Sequence, residues 1–503
     1  MRIAVIGCGH GELDAIYASI RAADAHSPPE TPPVDLVIVC GDFEAIRSPH
    51  DLPAMAVPPK FRVMADFHKY YALLATAPCL TIFIGGNHES SAYLWELYHG
   101  GWAAPNIFFM GWANVVKVGS LRIGGMSGIW NWHSYNRGHE EVAPYDQDQI
   151  RSVYHVRQHE VVQMALYPPY SPIDVFLSHD WPRNIVHHGD LPQLLRCKKF
   201  FEQDIGTGRL GSPPMEHLLT YLRPTYWFSG HLHVKFAALV DHHQVNRHDH
   251  QAAPNLFKFP PAQHGTLAHG RTPGASSSSS LSSTRFLALD KVIPGRRFLQ
   301  ILDLPDHTAG PLEYDLDWLA IVKATHADGF PRTAAAATAA SRSGYVSGAT
   351  SGQSSLMAKA ATGDRAAWRT LRDRVAKARV ELEHTLPTAA SRAIPLAFAP
   401  TAPMHMPAAN RPNGDDPMAA LAARPHANPQ TAAFAQMLGI TDVTAGGVTW
   451  DDYLALANQV LGQGASDAVV SVAAPIDLNA TGREPGAATL EDVDEGAIDL
   501  DNL

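Results

Sequence analysis

The chain has 503 residues, 46% of them hydrophobic and 17% charged, with a formal net charge of −10. That length is ample for one large domain with appendages, and the acidic balance argues against a basic protein that coats nucleic acid. An enzyme acting on nucleic acid stays open, because metal ions and a local group of Lys and Arg can hold phosphates on an otherwise acidic surface. Cys8, Cys40, Cys79 and Cys197 form no CxxC pair and no framework spacing, which points to a reducing intracellular setting. No run approaches the roughly 18 apolar residues that span a bilayer, so the expectation is a soluble protein with no membrane partner. Met1 to Gly7 reads as a strand feeding a loop and not as a signal peptide.

In chain order, short apolar strands are predicted at Arg2–Ile6, Leu36–Val39, Leu80–Ile84, Leu121–Gly124, Val175–Ser178 and Tyr226–Ser229. Helical patterns lie between them at Asp14–Ala25, Phe67–Ala75 and Ser212–Tyr221. The expected fold class is α/β, a sandwich of mixed sheet flanked by helices. Several strands run straight into Gly, His or Asp, where open α/β architectures place their chemistry. From Asp241 to Thr284 the chain is rich in His, Pro and Ser and reads as a disordered insert. Strand-like sequence returns at Arg285–Asp290 and Arg297–Asp303, and a helical pattern follows at Trp318–His326. Gly329 to Thr362 reads as flexible. Ala366–His384 spaces Trp368, Leu371, Val375, Ala378 and Leu382 at steps of three and four, as an amphipathic helix does. Beyond Thr385 lies an Ala/Pro-rich tail with short helix candidates at Thr431–Leu438 and Trp450–Leu461 and an acidic end, Glu491–Leu503.

Five short motifs sit at predicted strand ends: Gly7-Cys8-Gly9-His10-Gly11, Gly41-Asp42-Phe43-Glu44, Gly85-Gly86-Asn87-His88-Glu89, Ser178-His179-Asp180 and Ser229-Gly230-His231-Leu232-His233. Imidazole suits zinc, iron and manganese, while carboxylate and amide oxygens suit the harder end of that range. The set therefore predicts a pair of divalent ions, with Asp42, which has two oxygens, as the natural bridge. Each motif alone is weak, since a His at a strand end is usually structural and a Gly-Asp pair is usually a turn. Together and in this order they carry the metal reading. Cys8 has two readings of its own, a small packed residue or a thiolate ligand that favours softer metals.

The motif order resembles the calcineurin-like metallophosphoesterase superfamily, in which most members carry Asp at the position of Cys8. With Cys8 in place the opening Gly7–Asp14 is similar to the RNA lariat debranching enzymes. So are Cys40-Gly41-Asp42-Phe43, Gly100–Ile107, Ser178-His179-Asp180-Trp181-Pro182, Tyr226–Phe236 and Phe286-Leu287-Ala288-Leu289-Asp290-Lys291. This resemblance covers roughly residues 1–305. It implies one metal site completed by Asn87, His179 and His231, a second holding His10 and His233, and Asp42 between them. It also implies His88 as general acid, His10 as a stabiliser of phosphate charge, and a reaction that hydrolyses the 2′–5′ phosphodiester of branched (lariat) intron RNA in mRNA processing. A phosphomonoesterase of the same superfamily is the alternative.

Ser127 to Arg157 sits where that family carries a lariat recognition loop, and Trp130, Tyr135, Arg137, Tyr154 and Arg157 are its candidate RNA contacts. The bland reading of the same residues is a local core. Lys198, Lys199 and Lys235 are candidates for electrostatic help or for plain solvation. The expected organisation is a catalytic domain at 1–240, the insert at 241–284, the family's C-terminal region at 285–385, and a mostly disordered tail at 386–503 with short helices. From Pro387 onward the chain is expected to be dispensable for cleavage. A nuclear location follows from the resemblance alone, and the Ala366–His384 helix and acidic end are read as a dock for a splicing-related partner or, more plainly, as a solvated tail.

Overall fold

The computed structural model describes residues 1–243, 283–328, 355–395, 398, 400–402, 421, 424–449, 451–453 and 455–456. Two sheets face each other. In the first, β1 (Arg2–Ile6), β2 (Leu36–Val39), β3 (Leu80–Phe83) and β5 (Ile107–Phe109) run parallel, with β12 (Leu299–Asp303) antiparallel beside β1 and β4 (Gly101–Ala104) antiparallel beside β5. In the second, β7 (Leu121–Met126), β8 (Val175–Ser178), β9 (Tyr226–Ser229) and β11 (Ser283–Ala288) run parallel. Its edges are closed by β10 (Phe236–Asp241) on β11, and by β6 (Ala113–Val118) and β13 (Leu312–Tyr314) beyond β7.

Alternation along the second sheet builds two cores. Val175, Leu177, Phe228 and Leu287 point into the core shared with the first sheet. Their neighbours Phe176, Trp227, Phe286 and Ala288 point to the other face, as the two-residue period of a strand requires. That outer face is covered by helices Gln158–Ala165, Pro213–Leu222, Leu316–Thr325, Leu356–Ala361 and Arg365–Thr385. On the far side, helix Leu13–His26 packs Leu13, Ile16, Tyr17 and Ile20 onto the first sheet. The central strands β1, β2 and β8 are buried along their whole length, which is why they read as unbroken apolar runs.

The folded unit resumes after the insert, as the returning strand pattern suggests, because β11 enters the second sheet between β10 and β9 while β12 joins the first beside β1. The insert itself lies outside the described residues except for its ends, where Asp241 pairs with Ser283 across β10 and β11. Gly329–Thr362 lies largely outside them too, but its end forms helix Leu356–Ala361, capped by Ser355. Part of the expected tail is also packed on the body. Thr401, Phe398 and His426 are buried, and helix Pro429–Leu438 lays Phe434 against His99 with ring centroids 4.7 Å apart. Such contacts join residues some 330 positions apart and have no local periodicity to betray them. The candidate helix at Trp450–Leu461 and the acidic end lie mostly or wholly outside the described residues.

Candidate metal centre

The five motifs follow the carboxyl ends of β1, β2, β3, β8 and β9, so two parallel sets of strand ends meet across the sandwich. The backbone there is bent hard. His10, Asp42, Glu44, His231 and His233 all have positive φ, between 45° and 66°, a strained state that persists only where surrounding structure enforces it. Glycine makes the close approach possible. A Cβ on Gly86 would lie 2.2 Å from Asp42 Oδ1 and 2.7 Å from His179 Nε2, and one on Gly41 would lie 2.3 Å from His179 Nδ1.

Asp42 is buried at the centre with its two oxygens facing different histidines. Oδ1 lies 3.3 Å from His179 Nε2 and accepts the backbone N–H of His88 at 2.9 Å; Oδ2 lies 3.7 Å from His10 Nε2. Burial opposes its charge, yet His179, His88 and His10 hold its carboxyl well below the usual range. His179 Nδ1 donates to the carbonyl of Cys40 at 2.7 Å, which turns Nε2 toward Asp42. Its ring sits 5.0 Å from that of His231. On the other side His10 Nε2 approaches His233 Nε2 to 3.3 Å, and the Cys8 thiol accepts the His231 backbone N–H at 3.0 Å.

This donor set fits divalent ions. One ligand atom each from Cys8, His10, Asp42 and His233 lies within 4.8 Å of the others. The side-chain oxygen of Asn87 and Nε2 of His179 are buried with no hydrogen-bond partner, a costly arrangement that a cation would relieve. Burial pushes the Cys8 thiol well above its ordinary value, with Asp42 adding to it. It depresses His233 to about 3, with His10 adding to it. A buried thiol beside a carboxylate stays protonated unless a cation stands next to it.

His88 differs from these residues. Its side chain is 34% exposed, 4.0 Å from Glu44 through Nδ1, and its ring lies 5.2 Å from that of His10. Glu44 also accepts from His10 Nδ1 at 2.9 Å. Burial works against charging His10, but this bond and Asp42 outweigh it and raise the pKa. Neither Glu44 nor Glu89 was among the sequence candidates, although both stand inside the quoted motifs. The buried Glu89 carboxylate accepts the N–H groups of Phe43 (2.7 Å), Glu44 (2.8 Å) and Gly86 (2.9 Å), locking the second and third motifs together. Burial and Asp42 push its pKa up to about 7.

The candidate RNA contacts divide. Arg137 is exposed, and Trp130 and Tyr154 are half-buried, Tyr154 within electrostatic reach of Asp42. Tyr135 and Arg157 are corrections: they are 2% and 1% exposed and belong to the internal packing of the segment. Arg157 is spent on Glu141 at 2.6 Å and on the carbonyls of His155 and Ser152, while Tyr135 packs in the outer core against Trp130, 4.9 Å away. Trp132, 67% exposed, is the aromatic this segment presents to solvent.

Fold and site together define a calcineurin-like phosphoesterase, and residues 1–235 match the model of that family. Residues 281–443 match the model of the lariat debranching enzyme C-terminal domain, so the likeness runs well past residue 305 and takes in helix Pro429–Leu438. The lariat debranching enzyme of Homo sapiens is 49% identical over 327 residues, which cover 65% of this chain and 54% of that protein. Lariat debranching enzyme A of Xenopus laevis is 48% identical over the same span, again 65% and 54%. That of Arabidopsis thaliana is 46% identical over 325 residues, covering 64% of this chain and 68% of the relative. The chain belongs to the lariat debranching enzyme family. It spans about half the length of the first two relatives. Among the described residues no helix is long and apolar enough to cross a membrane.

Proposed function

We propose that the protein is a metal-dependent phosphodiesterase that hydrolyses the 2′–5′ linkage at the branch of lariat RNA, leaving linear RNA with a free 2′-hydroxyl and a 5′-phosphate. The observation that carries this reading is Cys8 standing among the metal donors His10, Asp42 and His233. That substitution, with the family's C-terminal region on the same sheets, sets the chain apart from the general phosphatases of the fold.

Asn87, His179 and His231 would hold one ion and Cys8, His10 and His233 the other, with Asp42 between them. When bound, such a pair supplies a water of near-neutral pKa and positive charge for the phosphate oxygens. Thiolate and imidazole favour zinc or iron at the Cys8 side, and manganese suits the oxygen-rich side. His88 is the proton donor to the leaving 2′-oxygen: its imidazole faces solvent while its backbone is tied to Asp42, so it can meet substrate without leaving the site. His10, oriented through Nδ1 by Glu44, keeps Nε2 for the ion and so helps place that ion's charge against the non-bridging oxygens. Trp130, Arg137 and Tyr154 hold the nucleotides around the branch. A nuclear location rests on the family alone, and a splicing-related partner on the sequence of the C-terminal region, its Ala366–His384 pattern and acidic end.

The test incubates the protein with a branched RNA carrying one 2′–5′ linkage, its linear 3′–5′ counterpart and a phosphomonoester, each with manganese, zinc and iron(II). Cleavage confined to the branch is expected. Hydrolysis of the monoester with the branch intact would make the protein a phosphomonoesterase on the same scaffold.

A further inference from the structure

The chain is acidic overall, yet one stretch beside the metal centre gathers cations. The connection from β11 to β12 is stitched to the loop that carries Cys8: Val292 donates to the Cys8 carbonyl at 3.1 Å, Gly7 donates to that of Phe298 at 3.0 Å, and Lys291 forms a parallel bridge with Cys8. This holds Lys291 close enough to the centre for its charge to oppose protonation of both His10 and His233. Lys198 caps helix Leu191–Cys197 and lies within electrostatic reach of Asp290, Lys291 and Arg296 on the same connection. Burial, Arg296 and Lys291 together lower its pKa, against the pull of Asp290. Arg296 reaches Asp290 at 3.3 Å and is still 55% exposed. Lys235 donates to Gln300 at 3.0 Å, and burial and Arg297 depress it to about 8.

Arg296 is thus paired with Asp290, Lys291 follows that residue in the chain, and Lys198 lies within electrostatic reach of all three, while among the described residues neither lysine has a salt bridge. Mutual repulsion of this kind costs stability that a polyanion would return. Beside them Phe200 is 70% exposed, with the Lys198 ammonium 5.9 Å from its ring centre. Cations in line with an exposed aromatic ring are what an unpaired strand needs, phosphates on the charges and a base on the ring. None of these residues belongs to the 127–157 segment, and two of the four, Lys291 and Arg296, come from the C-terminal region.

We infer that Lys198, Lys291 and Arg296, with Phe200, bind the sugar–phosphate backbone of a single-stranded RNA arm that leads away from the bond to be cleaved. The placement of that arm relative to the bond rests on the debranching reading; the binding of RNA does not.

The test measures full-chain affinity against salt for linear single-stranded RNA and for branched RNA with short and long arms, with EDTA present to prevent cleavage. The variant Lys198→Gln/Lys291→Gln/Arg296→Gln should lower the slope of log affinity against log salt by about 2 on either RNA, at roughly 0.7 per phosphate contact on a single strand. It should also abolish the affinity that the wild type gains from longer arms. Lys291→Arg should keep both, and Arg296→Gln alone should take about a third of the slope change, so the inference stays testable if the triple variant misfolds. An unchanged slope on linear RNA would overturn it. A normal slope in a wild type that, assayed separately with manganese, zinc or iron(II), leaves branches uncut would uphold the RNA site and remove the debranching reading.

Discussion

At the scale of single residues, the centre depends on side chains that are missing as much as on those present. Gly86 sits where a methyl group would stand 2.2 Å from Asp42 Oδ1 and 2.7 Å from His179 Nε2. Gly86→Ala should therefore strip metal while leaving the sheets folded, with metal content by elemental analysis falling below half, turnover lost and the far-UV circular dichroism spectrum kept. Full metal in that variant would show that the donors are not held as tightly as these distances require. His88→Ala makes the opposite prediction. Its side chain is not enclosed by the donors, so metal content and RNA binding should persist while turnover falls by about 10²–10⁴; loss of metal would make His88 a ligand. The five motifs were legible only as a set: each alone is usually a turn or a structural residue, but five polar loops in this order at strand ends are hard to obtain otherwise. Glu89 was not, although it stands in the third motif, because its work is to accept three backbone N–H groups and a sequence does not reveal that. Tyr135 and Arg157 misled for a related reason. In a loop they read as a stacking ring and a phosphate clamp, and only the partners, Glu141 for one and the outer core for the other, reveal them as packing.

At the scale of elements, the segments after Thr385 act as a brace. Arg47, three residues beyond Glu44, is buried with Asp51 and Glu96 at 2.8 Å, and Thr401 completes the set. His426 approaches Glu96 at 3.3 Å, and Thr431 donates to the Glu96 carbonyl at 2.5 Å. Gln430 bonds both backbone groups of Trp102, at 2.8 and 3.0 Å, and Tyr71 accepts the Thr401 N–H at 2.9 Å. Ending the chain at residue 386 would strand these buried groups at about 1–3 kcal/mol each. We expect that truncation to be insoluble or to lose most of its activity, whereas ending at 456 keeps both; solubility and branch cleavage of the two shortened chains decide it. This reverses the expectation that everything from Pro387 is dispensable. The brace should also loosen in acid. Burial, with His326 and His159 nearby, depresses His99 to about 3, so folding favours its neutral form. That stability is complete above the ordinary histidine value near 6.5 and drains away as pH falls from there toward 3, by at most about 1.4 kcal/mol per pH unit. His99→Phe should flatten the dependence of urea midpoint on pH between 6.5 and 4.5, and an unaltered slope would show that His99 is not a group that drives it.

At the scale of the whole molecule, both sheets need chain from each side of 244–282, so the catalytic body is not a piece that ends at 240. Asp241 and Ser283 are register partners on β10 and β11, and His242 reaches across to the Thr284 hydroxyl at 2.8 Å. The two strands therefore meet as the arms of a hairpin would, and the connection between them does not set their pairing. Closing a loop costs about 0.6 kcal/mol for each doubling of its length, so cutting one of about forty residues to about five should stabilise the fold by roughly 2 kcal/mol. Replacing residues 245–281 with a short Asn-Gly turn should thus raise the urea midpoint with cleavage unaltered, because every donor of the metal centre lies on strand ends that this change does not touch. A stable variant with weakened cleavage would instead assign 245–281 a part in holding RNA. A lower midpoint would mean that the segment adds contacts worth more than its closure costs.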